Sequence, residues 1–428
     1  MSESRFAALA VVSLAIPLFA LADARPSDAA PSCVVREVAR REIRTESGNK
    51  IFVEPLAFVS DGKANILLAG PVALFIVGPD GENTALQKNT IFGVVVDSRL
   101  QQRPVPNPMQ GEFVGVRAAA RTSGGWHVVF GDTASSPRPA TAVGTWSAAT
   151  DALWYGVFSG QSWTTLERLP IPPGVIVGQQ FASRLAARGD SLAWAVPMRT
   201  QRGERHLLLY ERRNGTWSYE EISTRNAGAQ VAYSDRLGVV LAVVQADTTL
   251  REDANSLIIR TREGGWRPLR RLVHGRLEGT VLNPSLTFVG DTMVVGWYGS
   301  ASGPRGLRKL QARAIVRALR DPDTAKIVLD SSVLGEPQAL VPAMQKRGVR
   351  IWLTRHVSPA GDASELRFVQ DSGGVVRVLQ SVPDPFYFNV SAVSIDSSRI
   401  VVSGMKYIPG KIFISLLLQF QVDCRSRN

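Results

Sequence analysis

Residues 208–217 read LLYERRNGTW, and residues 257–266 read LIIRTREGGW. Each opens on an apolar triplet, passes through charged residues and reaches a tryptophan two places after a glycine. Looser copies follow the same plan. LRFVQDSGGV (366–375) has Val375 in the tryptophan place, and WYGVFSGQSW (154–163) has its glycine one place earlier. LFIVGPDGEN (74–83) keeps only the apolar start and the glycine. The anchors Trp163, Trp217, Trp266 and Val375 are spaced by 54, 49 and 109 residues. The doubled last gap calls for one more copy near 320, where RKLQARAIVRALRDPDTAKIVL (308–329) offers RDPDT as its turn. Repetition at such a period signals one supersecondary unit repeated in space.

The unit is of β type, because short β-branched and aromatic runs are bounded by Gly, Asp, Asn and Ser. The central glycine supplies the positive φ of a tight hairpin turn. The tryptophan is expected to start the next strand and pack between sheets. A second element precedes most copies: SLTFVGDTMVVGWYG (285–299), ASRLAARGDSLAWAV (182–196), VAYSDRLGVVLAVV (231–244), VPAMQKRGVRIWLT (341–354) and VSAVSIDSSRIVVSG (390–404). Each reads as strand, polar turn, strand, and its second strand is nearly all apolar. Such strands are buried on both faces. One unit is then four antiparallel strands, A to D, and radial arrays of such sheets are β-propellers. The fold expected is all-β: a propeller of seven blades near 51–90, 113–170, 180–224, 229–274, 283–331, 337–382 and 388–424, with six blades as the alternative. The seventh blade lacks an outer strand, which CVVREVARREI (33–43) would supply, closing the ring through the two chain ends. A membrane β-barrel fits poorly, since LGVVLAVV would place apolar residues in its lumen.

The two ends agree with this closure. MSESRFAALAVVSLAIPLFALADA (1–24) has a polar start, an apolar run and Ala-x-Ala patterns, and reads as a signal peptide, with a retained anchor as the rival. The remaining 25–428 would form one domain, exported to the periplasm or outside the cell. KIFISLLLQFQV (411–422) falls short of the roughly 18 apolar residues of a membrane span and suits a buried strand. The chain has 2 cysteines, Cys33 and Cys424, and in an oxidising compartment a lone pair bonds.

The glycine–tryptophan turns resemble the Asp-box of sialidase-like propellers, Ser-x-Asp-x-Gly-x-Thr-Trp, which lies between the third and fourth strands of a blade. GQSW (160–163) matches its last four positions in type, and NGTW (214–217) and EGGW (263–266) are one residue shorter. Gly156 and Phe158 stand where the box has Ser and Asp. The resemblance covers most of 51–424 as architecture. It implies a fold and no activity, because the box is remote from the sialidase active site.

Motifs for chemistry are missing. His127, His206, His274 and His356 show no metal-ligand spacing and read as polar residues in or beside strands. There is no G-x-S-x-G elbow and no phosphate-cradling glycine loop. No metal and no cofactor is expected. The reading is a non-catalytic binding or assembly module, with a glycoside hydrolase or lyase, its carboxylates gathered from several blades, as the alternative. The formal charge is +12 and only 8 of the 49 basic residues are Lys. Arginine holds carboxylate or phosphate in a bidentate fork. Nucleic acid is not expected as the partner of an exported chain without a recognition motif.

Function tends to sit on loops held by a rigid scaffold. The long ones are the B–C loops RTQRGER (199–205), ADTTLREDANS (246–256), GSASGPRG (299–306) and SPAGDAS (358–364), with the connection LQQRPVPNPMQGE (100–112) on the same side. An anionic glycan or a protein would bind there through Arg199, Arg202, Arg205, Arg251 and Arg305. Glu54, Gln180, Asn283 and Asn389, near the starts of inner strands, would line the channel mouth. Acidic Glu252, Asp253 and Asp362 lie in the same loops and offset part of the positive charge.

Overall fold

The structure, a computed structural model, describes residues 32–44, 50–53, 57–69, 72–77, 83–87, 91–109, 114–132, 152–176, 185–200, 205–224, 226–246, 255–262, 266, 268–271, 280–289, 292–302, 308–318, 326–329, 337–346, 349–357, 364–372, 375–386, 388–408 and 412–425. The expected leader at 1–24 lies outside these residues. Among them no helix is long and apolar enough to cross a membrane.

The described strands form antiparallel meanders in chain order. The first sheet is Ala57–Ser60, Ile66–Ala69, Ile91–Val96 and Gln102–Pro106. The second is Val114–Thr122, Gly125–Asp132, Ala152–Phe158 and Trp163–Arg168. In the third, the short strands Val175–Ile176 and Ala186–Arg188 both pair with Ser191–Thr200, which is followed by Arg205–Arg213 and Thr216–Thr224. The fourth is Asn226–Ser234, Gly238–Ala246, Asn255–Thr261 and Pro268–Arg271. The fifth is Thr280–Val289, Thr292–Ser302, Arg308–Ala318 and Lys326–Leu329. The sixth is Pro337–Lys346, Val349–Val357, Ser364–Ser372 and Val375–Pro383. The seventh takes Phe388–Ser394, Arg399–Ile408 and Ile412–Arg425 from one end of the chain and Ser32–Glu42 from the other.

The apolar strands explain how the sheets stack. Successive side chains on a strand point to opposite faces. Leu67 and Ala69 therefore pack with Val116, Val128 and Phe130 of the second sheet. Their neighbours Ile66 and Leu68 pack with Ile395, Val401 and Leu417 of the seventh. The third sheet repeats the pattern: Leu192, Trp194 and Val196 face the second sheet, and Ala193 and Ala195 face the fourth. The first and third sheets thus bury both faces against their neighbours, with on the order of 1.5–3 kcal/mol for each large side chain removed from water. Four-stranded antiparallel sheets packed face to face in chain order are a β-propeller architecture. Ala57–Ser60, the first strand of its sheet, touches the first strands of both neighbouring sheets, Val114–Thr122 and Phe388–Ser394.

The repeated decamer is the hairpin of strands C and D, and in the second, third and fourth sheets its tryptophan fastens the sheet to the one before. Asn214 and Gly215 form a two-residue turn with φ of 50° and 81°, closed by the pair Arg213 and Thr216. Asn-Gly is the preferred sequence for such a turn. Trp217 then meets Tyr155 of the second sheet with ring centroids 5.2 Å apart. Trp163 meets Phe92 of the first sheet at 5.3 Å, and its Nε1 donates to the Pro106 carbonyl at 2.8 Å. Trp266 donates from Nε1 to Glu220 of the third sheet at 2.8 Å. It does so from a turn, with φ of 57°, rather than from the start of a strand as expected.

The first unit also differs from its expected bounds. Its meander runs from 57 to 106, not from 51 to 90. Lys50–Val53, Val72–Val77 and Asn83–Gln87 leave it to form a separate three-stranded sheet. Gln102–Pro106, expected as a connection, is the outer strand. It carries Pro104 and Pro106, which an edge strand tolerates because one side of it has no ladder to complete. Cys33 and Cys424 are paired across strands, with Cα atoms 4.0 Å apart, and are joined by a disulfide.

Candidate functional site

In a four-stranded meander the A–B and C–D turns share one end, and the B–C loops and entry connections share the other. The residues expected at that second end are placed as follows. Arg199 is directly opposite Arg205 where Ser191–Thr200 meets Arg205–Arg213, at the end away from the Asn214–Gly215 turn. Ile176 pairs with Arg199 from the other side. Arg202, Arg251, Arg305, Glu54 and Gln180 lie outside the described residues. So do most of the B–C loop residues.

Asn283 and Asn389 fall on a feature that recurs. The first strand of the fifth sheet pairs Leu282 with Tyr298 and then Ser285 with Gly296, so Asn283 and Pro284 stand against Trp297 alone. The seventh sheet does the same, with Asn389 and Val390 against Gly404. The sixth sheet skips Gln338, the fourth skips Ala227 and the second skips Arg117. In all five the extra residue lies near the start of the first strand, at the B–C end. A bulge leaves one residue out of the ladder and bends the strand, and bulges concentrate next to functional sites, where they re-aim a side chain. Several first strands neighbour one another, among them Asn226–Ser234 with Thr280–Val289 and Pro337–Lys346 with Phe388–Ser394. Arg117, Asn283, Gln338 and Asn389 are therefore set at corresponding places on the first strands of the second, fifth, sixth and seventh sheets.

Arg117 is the residue that sequence reasoning missed. It is 8% exposed, and burial pushes its guanidinium below the usual arginine range. Its signal was an arginine inside the otherwise small and apolar VGVRAAA. No carboxylate occupies any of these five bulges. Among the described residues no group of three His, Cys, Asp or Glu could hold a metal ion.

Of the described histidines, His127 lies near the A–B turn at the opposite end, whereas His206 follows Arg205 and His356 pairs with Pro337 beside Gln338, at the B–C end. His127 hydrogen-bonds through Nδ1 with the Tyr155 hydroxyl at 2.5 Å and through Nε2 with Thr122 Oγ1 at 2.7 Å. His356 Nε2 lies 3.0 Å from Thr354 Oγ1, and His206 Nδ1 lies 2.6 Å from Glu221. His274 lies outside the described residues.

No protein-family profile matches the chain, and no curated protein matches it. Similar solved structures include a Dyadobacter fermentans protein described as of unknown function, at 13% identity over 91% of this chain and 99% of that one, with a TM-score of 0.45. A Hadza microbial sialidase is similar at 14% identity over 88% of this chain and 66% of that one, TM-score 0.45. The β-propeller domain of the Trilobed protease from Pyrococcus furiosus is similar at 9% identity over 89% and 98%, TM-score 0.45.

Proposed function

We propose that the chain is an exported, non-catalytic β-propeller that binds an anionic glycan or protein ligand at the B–C end of its inner strands. The scaffold of this reading is a closed ring of seven blades. It is supported by the seventh sheet, which draws strands from both ends of the chain, and by the Cys33–Cys424 bond that locks them. The contact of Ala57–Ser60 with Phe388–Ser394 supports it further. Export is supported by the apolar leader and by the disulfide, which persists in oxidising compartments.

The observation that carries the binding reading is the bulge repeated at one end of five inner strands. A bulge costs ladder hydrogen bonds, and five sheets place one at the same end of the first strand, most with a polar residue in it. Beside the buried Arg117, those residues are two asparagines and one glutamine, amide side chains that can donate to a ligand but are not acid–base catalysts at neutral pH. The register of Arg199 against Arg205 adds two positive residues side by side at the same end. Like charges directly opposite are unfavourable in an empty sheet, and an anion between them relieves the repulsion. Each charge-assisted arginine contact contributes on the order of 1.5–3 kcal/mol.

The test is a glycan and peptidoglycan-fragment array read with wild type, an Arg199→Ala/Arg202→Ala/Arg205→Ala variant and an Asn283→Ala/Asn389→Ala variant. Wild type is expected to retain acidic members, and each variant to lose about tenfold or more in affinity. Unchanged binding in both variants, or a preference for neutral or cationic members, overturns the site. Turnover of fluorogenic glycosides, lost on replacing a carboxylate at the channel mouth, would overturn the non-catalytic reading.

A further inference from the structure

At the opposite end, where the A–B and C–D turns lie, the first and second sheets part to leave a cleft of about 400 Å³. It is lined by Asp61, Asn65, Arg103, Arg121, Trp126, Ser159, Gly160 and Gln161. The volume lies within the roughly 300–1,000 Å³ of small-molecule sites. Two guanidinium groups converge on it. Arg103 comes from the outer strand of the first sheet and is exposed. Arg121 comes from the inner strand of the second, with its guanidinium carbon 4.7 Å from the centre of the Trp126 ring. Trp126 is itself 3% exposed and is anchored by Nε1 donating to the Val59 carbonyl at 3.2 Å. That anchored ring fixes the plane of Arg121. Neither arginine has a carboxylate partner or a hydrogen bond among the described residues, and Arg121 Nη1 is buried with no acceptor.

The one carboxylate at the cleft is already committed. Asp61 Oδ1 accepts from the amides of Lys63, Ala64 and Asn65, at 2.8, 2.9 and 2.9 Å, and Oδ2 accepts from Asn65 Nδ2 at 2.7 Å. Burial alone would raise its pKa, but these four donors hold it at about 2. It stays ionised without reaching either arginine. Ser159 Oγ is likewise occupied, holding the turn to Ser162 at 3.0 Å. The groups left to a ligand are the two guanidinium groups, the Asn65 carboxamide oxygen and the Gln161 carboxamide. This set offers donors to an anion and acceptors to hydroxyl groups.

We propose that this cleft is a second binding site, for a small hydroxylated carboxylate such as a uronate sugar, its carboxylate held by Arg103 and Arg121 and its hydroxyls by Asn65 and Gln161. The assignment does not depend on the B–C end and stands or falls separately from it. A free inorganic anion shares only the guanidinium contacts.

The test is isothermal titration of the mature protein with glucuronate, glucose and sulfate. The variants are Arg103→Glu, which changes an exposed side chain, Arg121→Lys, which keeps the charge and removes the fork, and the Arg199/Arg202/Arg205 alanine triple. Glucuronate is expected to bind, to fall at least about tenfold in Arg103→Glu and in Arg121→Lys, and to be unchanged in the triple. Glucose and sulfate are expected to bind at least about tenfold more weakly than glucuronate. The proposal is overturned if glucuronate does not bind, if Arg103→Glu binds it as wild type does, or if the triple loses it. Glucose or sulfate binding as tightly as glucuronate would overturn the ligand class.

Discussion

His127 and His356 are kept neutral by their surroundings. For His127, burial is the main cause, the charges of Arg212 and Arg121 act in the same direction, Asp190 opposes them, and the result is a pKa of about 4. For His356, burial and then Arg367 bring it to about 4 against Glu365. The unfolded chain protonates both near 6.5, so between about 6.5 and 4 the unfolded state binds protons that the folded state does not. The stability these residues contribute is complete above 6.5 and is lost as pH falls toward 4. The melting temperature is expected to drop across that window and to drop less in a His127→Gln/His356→Gln variant. An equal drop in both proteins would contradict the assignment. At this scale the sequence told part of the story. His127, His206 and His356 read correctly as polar residues in strands. The neutral state of His127 and His356 did not show, because Arg212 reaches His127 from another sheet. The arginine within VGVRAAA was visible, but its place in a bulge depends on which residues of the partner strand it skips.

The C–D hairpin is the element that repeats, and its tryptophan works only where the facing strand leaves room. A Cβ added at Gly156 would lie 2.9 Å from two carbons of the Trp163 ring. Gly156→Val is therefore expected to push the indole away from Phe92 and Pro106 and to cost about 1–3 kcal/mol by overpacking. Urea denaturation measures this, and an unchanged midpoint would contradict the packing. Strands were the most legible elements, since two-sided burial leaves long apolar runs such as LGVVLAVV. Gln102–Pro106 was missed because its prolines mimic a loop. Val72–Val77 was assigned to the wrong sheet because an apolar run does not name its partner. The bulges of the candidate site leave no trace in periodicity, for the same reason.

In the whole molecule one sheet is completed by both chain ends, and the proposed ring carries two proposed binding faces. The decamer repeat made the stacked sheets legible, and the cysteines at 33 and 424 made legible the sheet that the two chain ends share. The binding faces were less so, because their residues come from strands far apart in sequence. A disulfide spanning a sequence separation of 391 residues restricts the unfolded chain strongly, by up to about 6 kcal/mol on chain-entropy grounds. The most direct measurement is mass spectrometry of peptides from the non-reduced, alkylated protein. The account predicts a single linked pair carrying Cys33 and Cys424, two hydrogens lighter than the separate thiol peptides and released by reduction. Recovery of both cysteines as alkylated free thiols, or of a Cys33–Cys33 link between two chains, would contradict it.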